Sequence, residues 1–167
     1  TAYWKEANLS YGGGNNIHAF YAYPNSYNGV YSEDNTISDF YWHHIAWVMD
    51  GSNQKIFIDG VLHGEANTPH SAISWIADAG SHRLGSQIIS GNSYYLKGGI
   101  DQFRLSSNVR YIEDFTPLSK DVNFNVDEFT EVLYSFDSGD GNILYDHSGN
   151  DNHGTIYGAT WVDNNLY

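Results

Sequence analysis

The sequence predicts an all-β fold, a two-sheet antiparallel sandwich with little or no helix, and three observations carry that expectation. Apolar runs are short and recur with turn residues between them, while a helical period of three to four residues is sustained nowhere. The runs are rich in β-branched and aromatic residues, which fit a pleated, half-buried surface. Several stop at Asp-Gly or Gly-Gly pairs, Asp50-Gly51, Asp59-Gly60 and Gly98-Gly99, whose permissive φ values reverse the chain.

Strands are expected over residues 3–8, 17–23, 27–31, 44–49, 55–58 and 61–64, then over 82–86, 94–96, 100–106, 131–136, 153–157 and 160–162. Gly12-Gly13-Gly14-Asn15-Asn16 connects a first hairpin and Asp50-Gly51-Ser52-Asn53 closes a second. Asp59-Gly60 suits a two-residue type I′ turn. Residues 67–81 form a longer connection, read as a short helical turn or a loop over a sheet. Residues 106–117 leave the sheet, with Pro117 marking the exit from pairing. Residues 118–129 are acidic and weakly patterned, a surface connection to the last strands.

A chain of 167 residues fits one domain and can bury a core without staples. Cysteine is absent, which removes disulfides and thiolate chemistry. Seven Lys and Arg against twenty Asp and Glu give a net charge of -13, so nucleic acid and anionic membrane surfaces are repelled. No apolar stretch approaches the roughly 20 residues a membrane helix needs. The chain opens at Thr1-Ala2-Tyr3 without a signal-like segment and is expected to be a mature product or an excerpt. Aromatics reach 16% with Tyr dominant, and with abundant Asn, Ser and Gly they suit an extracellular β-protein that meets sugars or neighbouring subunits.

Trp42-His43-His44-Ile45, the Asp50-Gly51 turn, Phe57-Ile58-Asp59-Gly60 and Gly98-Gly99-Ile100-Asp101 resemble the laminin G-like, concanavalin A-like jelly-roll superfamily. Trp42, Gly60 and Asp101 are its landmarks here, and the likeness runs over residues 42–117. It is similar to bacterial and phage extracellular members in which Asn108-Val109-Arg110-Tyr111 and Asp114-Phe115-Thr116-Pro117 follow the Ile-Asp strand. Tyr134-Ser135-Phe136-Asp137 and the segment from Asp146-His147-Ser148-Gly149 to Trp161 also look like the family, although in many members this pattern opens the domain. The strands the family places before this region are scarcely represented in residues 1–40. The chain is therefore read as one sandwich over 1–167 with an extension at 118–167, whose strands either complete the same sandwich or pair with a neighbouring copy.

Glucanases share the fold, and the resemblance implies for them a Glu-x-Asp-x-x-Glu strand that sets acid, base and helper carboxylates on one face. No such run exists in this chain, nor a Gly-x-Ser-x-Gly nucleophile, so no catalytic residue is assigned. Asp146, Ser148, Asn150 and Asn152 place oxygen side chains at alternate loop positions, the spacing of a Ca²⁺ turn and equally of a self-bonded tight turn. No cofactor is required. Adjacent His43 and His44 alternate across a strand and do not chelate one ion.

Sugar contact needs an aromatic ring with amide or carboxylate partners. Tyr21, Tyr23, Asn25, Tyr27 and Tyr31 form one candidate patch, and Asn92, Tyr94 and Tyr95 another. Asn8-Leu9-Ser10 is a glycosylation sequon. Asp101 is expected to alternate onto the face of Phe103 and Leu105 in a structural role. The first reading is a non-catalytic subunit of an extracellular, cell-surface or virion-surface filament, fibre or sheath with glycan contact. Its partners are identical copies and glycans, without nucleic acid or membrane insertion. The second is a monomeric carbohydrate-binding or adhesion module of a larger secreted or phage tail protein.

Overall fold

The computed structural model describes residues 6–11, 13–23, 26–37, 41–51, 53–67, 82–89 and 91–162, with backbone alone for residues 6–8, 20–23, 26–28 and 89. Among these the fold is all-β and every pairing is antiparallel, and no α-helix occurs. The chain divides into two compact units, one of Thr1–Ile73 with Asn108–Ser119, the other of Ser74–Ser107 with Lys120–Leu166.

In the first unit, β1 (Glu6–Tyr11), β2 (Ile17–Tyr23) and β3 (Ser26–Tyr31) make one sheet, in that order. β4 (Ile45–Met49), β5 (Asn53–Ile58) and β6 (Val61–Asn67) make a second. Each sheet buries the face its alternation makes apolar. Ile17, Ala19 and Val30 from the first meet Ile56 and Ile58 from the second, and Ile45, Trp47 and Ala66 pack around them. A fully buried side chain of this size contributes about 1.5–3 kcal/mol by leaving water. Gln54 shares this face of β5, and its buried Oε1 accepts the Trp47 Nε1–H at 3.1 Å.

The two sheets approach so closely at one point that only glycine fits. Gly64 lies opposite Ile56, and a Cβ there would overlap the Tyr31 carbonyl oxygen at the end of β3. β6 carries a bulge at the same place, the register shifting between Ile56 and Phe57.

Phe57 points the other way from Ile56 and is also buried, so β5 is covered on both faces. Its cover is the irregular segment 108–119. Tyr111 and Phe115 stack with centroids 3.6 Å apart, and both rings meet Phe57 and His44 edge-on. Two hydrogen bonds lock the segment onto the Asp59-Gly60 turn: Phe115 N donates to Gly60 O at 2.9 Å, and Leu62 N to the Asp114 side-chain Oδ1 at 2.8 Å. Lys55, opposite Glu65 across the strands, reaches the Ile112 carbonyl at 2.9 Å.

In the second unit, β7 (Ser86–Ile89) pairs with β8 (Asn92–Tyr95), β9 (Phe103–Ser106) with β10 (Thr130–Tyr134), and β11 (Ile143–Leu144) with β12 (Gly154–Thr155). β10 lies antiparallel to β9. Its ladder shifts between Thr130 and Val132, leaving Glu131 as the extra residue of a bulge.

Several expected strands move. The three expected over residues 1–40 are present as a full sheet that supplies half the core of its unit, so the N-terminal region is not the thin half the resemblance implied. The expected strand 100–106 shortens to Phe103–Ser106, so Asp101 lies outside the ladder. The strand expected at 82–86 begins only at Ser86, and 131–136 stops at Tyr134 because Phe136 turns to φ 57. Residues 160–162 form no strand; Trp161 anchors them instead through Nε1–H to the Gly141 carbonyl at 2.9 Å. Residues 68–81, read as a helical turn or loop, and residues 3–5 of the first expected strand lie outside the described residues.

Candidate functional site

The hairpin β7–β8 carries the second candidate patch. β8 is exposed along its whole length. Strand alternation puts Asn92 and Tyr94 on one face and sends Tyr95 to the other, so the three residues do not form a single platform. The register adds Gln87, directly opposite Tyr94. One face therefore presents the Tyr94 ring, 55% exposed, with one carboxamide across the ladder and another two residues back along its own strand. The other presents Tyr95, 74% exposed, diagonal to Ile88 at 49%.

The first patch is placed only in part. Register sets Tyr21 opposite Asn28, Tyr23 opposite Ser26 and Tyr27 opposite Ala22. The side chains of Tyr21, Tyr23 and Tyr27, and all of Asn25, lie outside the described residues. Tyr31 is exposed but spends one ring face on His18, the rings parallel within 7° and 4.0 Å apart. Burial there lowers the His18 pKa, which favours the neutral ring in the stack. Asn8 sits in β1 opposite Phe20, its side chain likewise outside the described residues.

In the loop after β11, Asp146 is 7% exposed and its carboxylate is saturated by the chain. Oδ1 accepts the N–H of Leu133 and of Ser148, each at 2.9 Å, and Oδ2 accepts the Asn152 N–H at 3.0 Å with Ser148 Oγ at 2.7 Å. Burial pushes this carboxyl up, and these bonds outweigh it, holding the pKa below its ordinary value. Asn150 and Asn152 turn their amide donors to the Glu131 carbonyl, each at 3.1 Å, and Ser148 Oγ, whose one proton is shared with Asp146 Oδ2, lies at the same distance from it. The β10 bulge explains that convergence, because the extra residue's carbonyl is left outside the ladder. The alternating oxygen residues thus work as a clamp between loop and strand, with both Asn amides presenting nitrogen to it.

The fold landmarks also acquire partners. Asp59 and Gly60 adopt φ 51 and 82, the two positive values of a type I′ turn. Gly60 is buried, and a Cβ there would overlap the Phe115 carbonyl. Asp59 does more than turn the chain: Oδ2 meets His43 Nδ1 at 2.7 Å and Oδ1 accepts the His44 N–H at 2.8 Å. Trp42 is half-buried just before β4.

Asp101 does not alternate with Phe103, being outside β9; burial raises its carboxyl above the ordinary value, with Lys120 opposing and Asp137 adding to the rise. Its neighbour Gln102, which the sequence reading passed over, is the hub. It donates to the carbonyls of Lys120 and Val122 and accepts the Phe124 N–H at 3.0 Å.

A laminin G-like family model, described as the Concanavalin A-like lectin/glucanases superfamily, matches residues 5–114. The chain belongs to this superfamily. The match takes in both sheets of the first unit, residues 74–107 of the second and the first part of the segment that covers Phe57, up to Asp114, starting well before Trp42. No curated protein and no solved structure matches the chain. Among the described residues, no helix of this laminin G-like chain is long and apolar enough to cross a membrane.

Proposed function

We propose that the chain is a non-catalytic binding module of an extracellular or surface protein, and that its ligand is a glycan held on the Tyr94 face of the β7–β8 hairpin. The observation that carries this reading is the exposed Tyr94 ring sharing its face with Asn92 and Gln87. A ring offers an apolar face to the C–H side of a sugar, and two carboxamides on the same face supply donors and acceptors for its hydroxyls. One such contact is weak, and repetition in a larger protein multiplies it. Two features of the sequence support the non-catalytic part, the missing Glu-x-Asp-x-x-Glu run and the missing nucleophile motif. The laminin G-like family supports the extracellular setting.

A second reading, a filament or sheath subunit, draws on the opposite face. Tyr95 and Ile88 are diagonal neighbours and exposed, an apolar pair that a second copy would cover. Glycan-array binding by a protein that stays monomeric in light scattering supports the first reading; regular fibres in electron microscopy with a blank array support the second.

A further inference from the structure

In the second unit, the connection 120–129 and the end of β10 border a cleft of about 430 Å³, within the size range of small-molecule sites. Leu133 and Ser135 at its base are buried and Phe124 is half-buried, while Asn123, Asp137 and His147 stand exposed at its edge. Four of the polar groups form two bonded pairs. Asn123 Nδ2 donates to Asp137 Oδ2 at 3.1 Å, and Ser135 Oγ lies 3.2 Å from His147 Nε2. By valence each pair keeps more bonding capacity: the Asn123 carbonyl oxygen, further lone pairs on Asp137, and the second imidazole nitrogen of His147.

The walls are held from outside the cleft. Gln102 fixes Phe124 through its backbone N–H, and the Arg104 guanidinium lies 4.4 Å over the Phe124 ring centroid. On the other side, His147 N donates to the Leu133 carbonyl at 2.8 Å. The parts of the cleft so held, at Phe124 and Leu133, need little ordering when a ligand enters.

The edge is acidic rather than basic, with Asp137 at the rim of a chain whose net charge is -13, which disfavours anions. We propose that this cleft is a ligand site distinct from the Tyr94 face, taking a neutral polyhydroxylated ring of the pyranose class. Its apolar side lies on the half-buried Phe124 ring, and its hydroxyls bond Asn123, Asp137 and His147. The site stands independently of the hairpin reading, since it shares no residue with it.

The test is amide chemical-shift mapping on the full chain with glucose, galactose, mannose and N-acetylglucosamine added singly to about 10 mM, enough to detect a Kd near 1 mM. At least one sugar is expected to shift the amides of Phe124, Ser135 and Asp137 while those of β7–β8 need not move. Glucuronate, the charged counterpart of glucose, is expected to shift them less than any neutral sugar that binds. Asn123→Ala and Asp137→Ala, both at exposed positions, are expected to abolish the shifts with the rest of the spectrum unchanged. His147→Gln gives a third variant should either perturb the fold. Silence of these amides with all four sugars, shifts that survive the variants, or equal response to glucuronate would each overturn the proposal.

Discussion

The carboxylate of Asp146 accepts the backbone N–H of Leu133 at 2.9 Å, joining the loop after β11 to the middle of β10. The same carboxylate closes its own loop through Ser148 and Asn152, so one buried side chain sets both the loop and its docking. Replacing Asp146 by Ala strands several N–H donors at once. The expected loss is about 3 kcal/mol of unfolding free energy. Denaturant melts of D146A against the parent measure it, and a loss below about 1 kcal/mol would show that the clamp is not structural.

The clamp also has a pH signature. The folded pKa of Asp146 is lowered relative to its unfolded value, about 3.9. Its contribution is therefore complete above that unfolded value and is lost as pH falls through the lower folded pKa. Stability of the parent should drop below about pH 4 more steeply than that of D146A.

Asp101 works with the opposite sign. Its folded pKa is raised, so its charge opposes folding at neutral pH, and that penalty fades as pH falls through the raised folded pKa towards the unfolded value. Asp101→Asn is expected to melt at a higher temperature than the parent at pH 7, with the gap closing in acid. A lower melting temperature at pH 7 would assign Asp101 a net stabilising contact.

Calcium bears on the same loop as Asp146. Both carboxylate oxygens are already engaged by the chain, and the Asn150 and Asn152 amides turn nitrogen to Glu131. A chelator is accordingly expected to leave the melting temperature unchanged, and added Ca²⁺ to leave it unchanged as well. A rise with Ca²⁺ that D146A lacks would make the loop an ion site.

Gly60 is the sharpest test of the first unit. Its φ of 82 and its approach to Phe115 both exclude a Cβ. Gly60→Ala should cost more than about 3 kcal/mol, beyond the roughly 1 kcal/mol of a positive φ alone. Gly64→Ala, facing the Tyr31 carbonyl, should behave alike in thermal melts.

What was legible in the sequence were the hairpins with a local cause. Asp59-Gly60 and Asp50-Gly51 name their turns, and β4, β5 and β6 fall beside them. The strands β11 and β12 are two residues each, too short for any period, and only the Asp146 loop brings them together. The bulge at Glu131 has no local signature, so the meeting point of Ser148, Asn150 and Asn152 was hidden although their spacing was plain. Asp59 read as a turn residue because Gly60 explained it; its bonds to His43 and His44 come from the residues just before β4, sixteen and fifteen positions earlier in sequence. Gln102 was masked by the landmark beside it. Gln87 joined Tyr94 only once the register of β7 and β8 was fixed, since the strand expected at 82–86 excluded it.

The central claim is that the Tyr94 face of the hairpin holds a glycan, and the most direct test compares Tyr94→Ala with Tyr95→Ala against whichever array glycan the parent retains. Truncating an aromatic sugar contact should cost about 1–2 kcal/mol, roughly a tenfold rise in Kd. The account predicts that rise for Tyr94→Ala, a smaller one for Gln87→Ala, and unchanged affinity for Tyr95→Ala. Equal affinity of Tyr94→Ala and the parent, or loss confined to Tyr95→Ala, would contradict it.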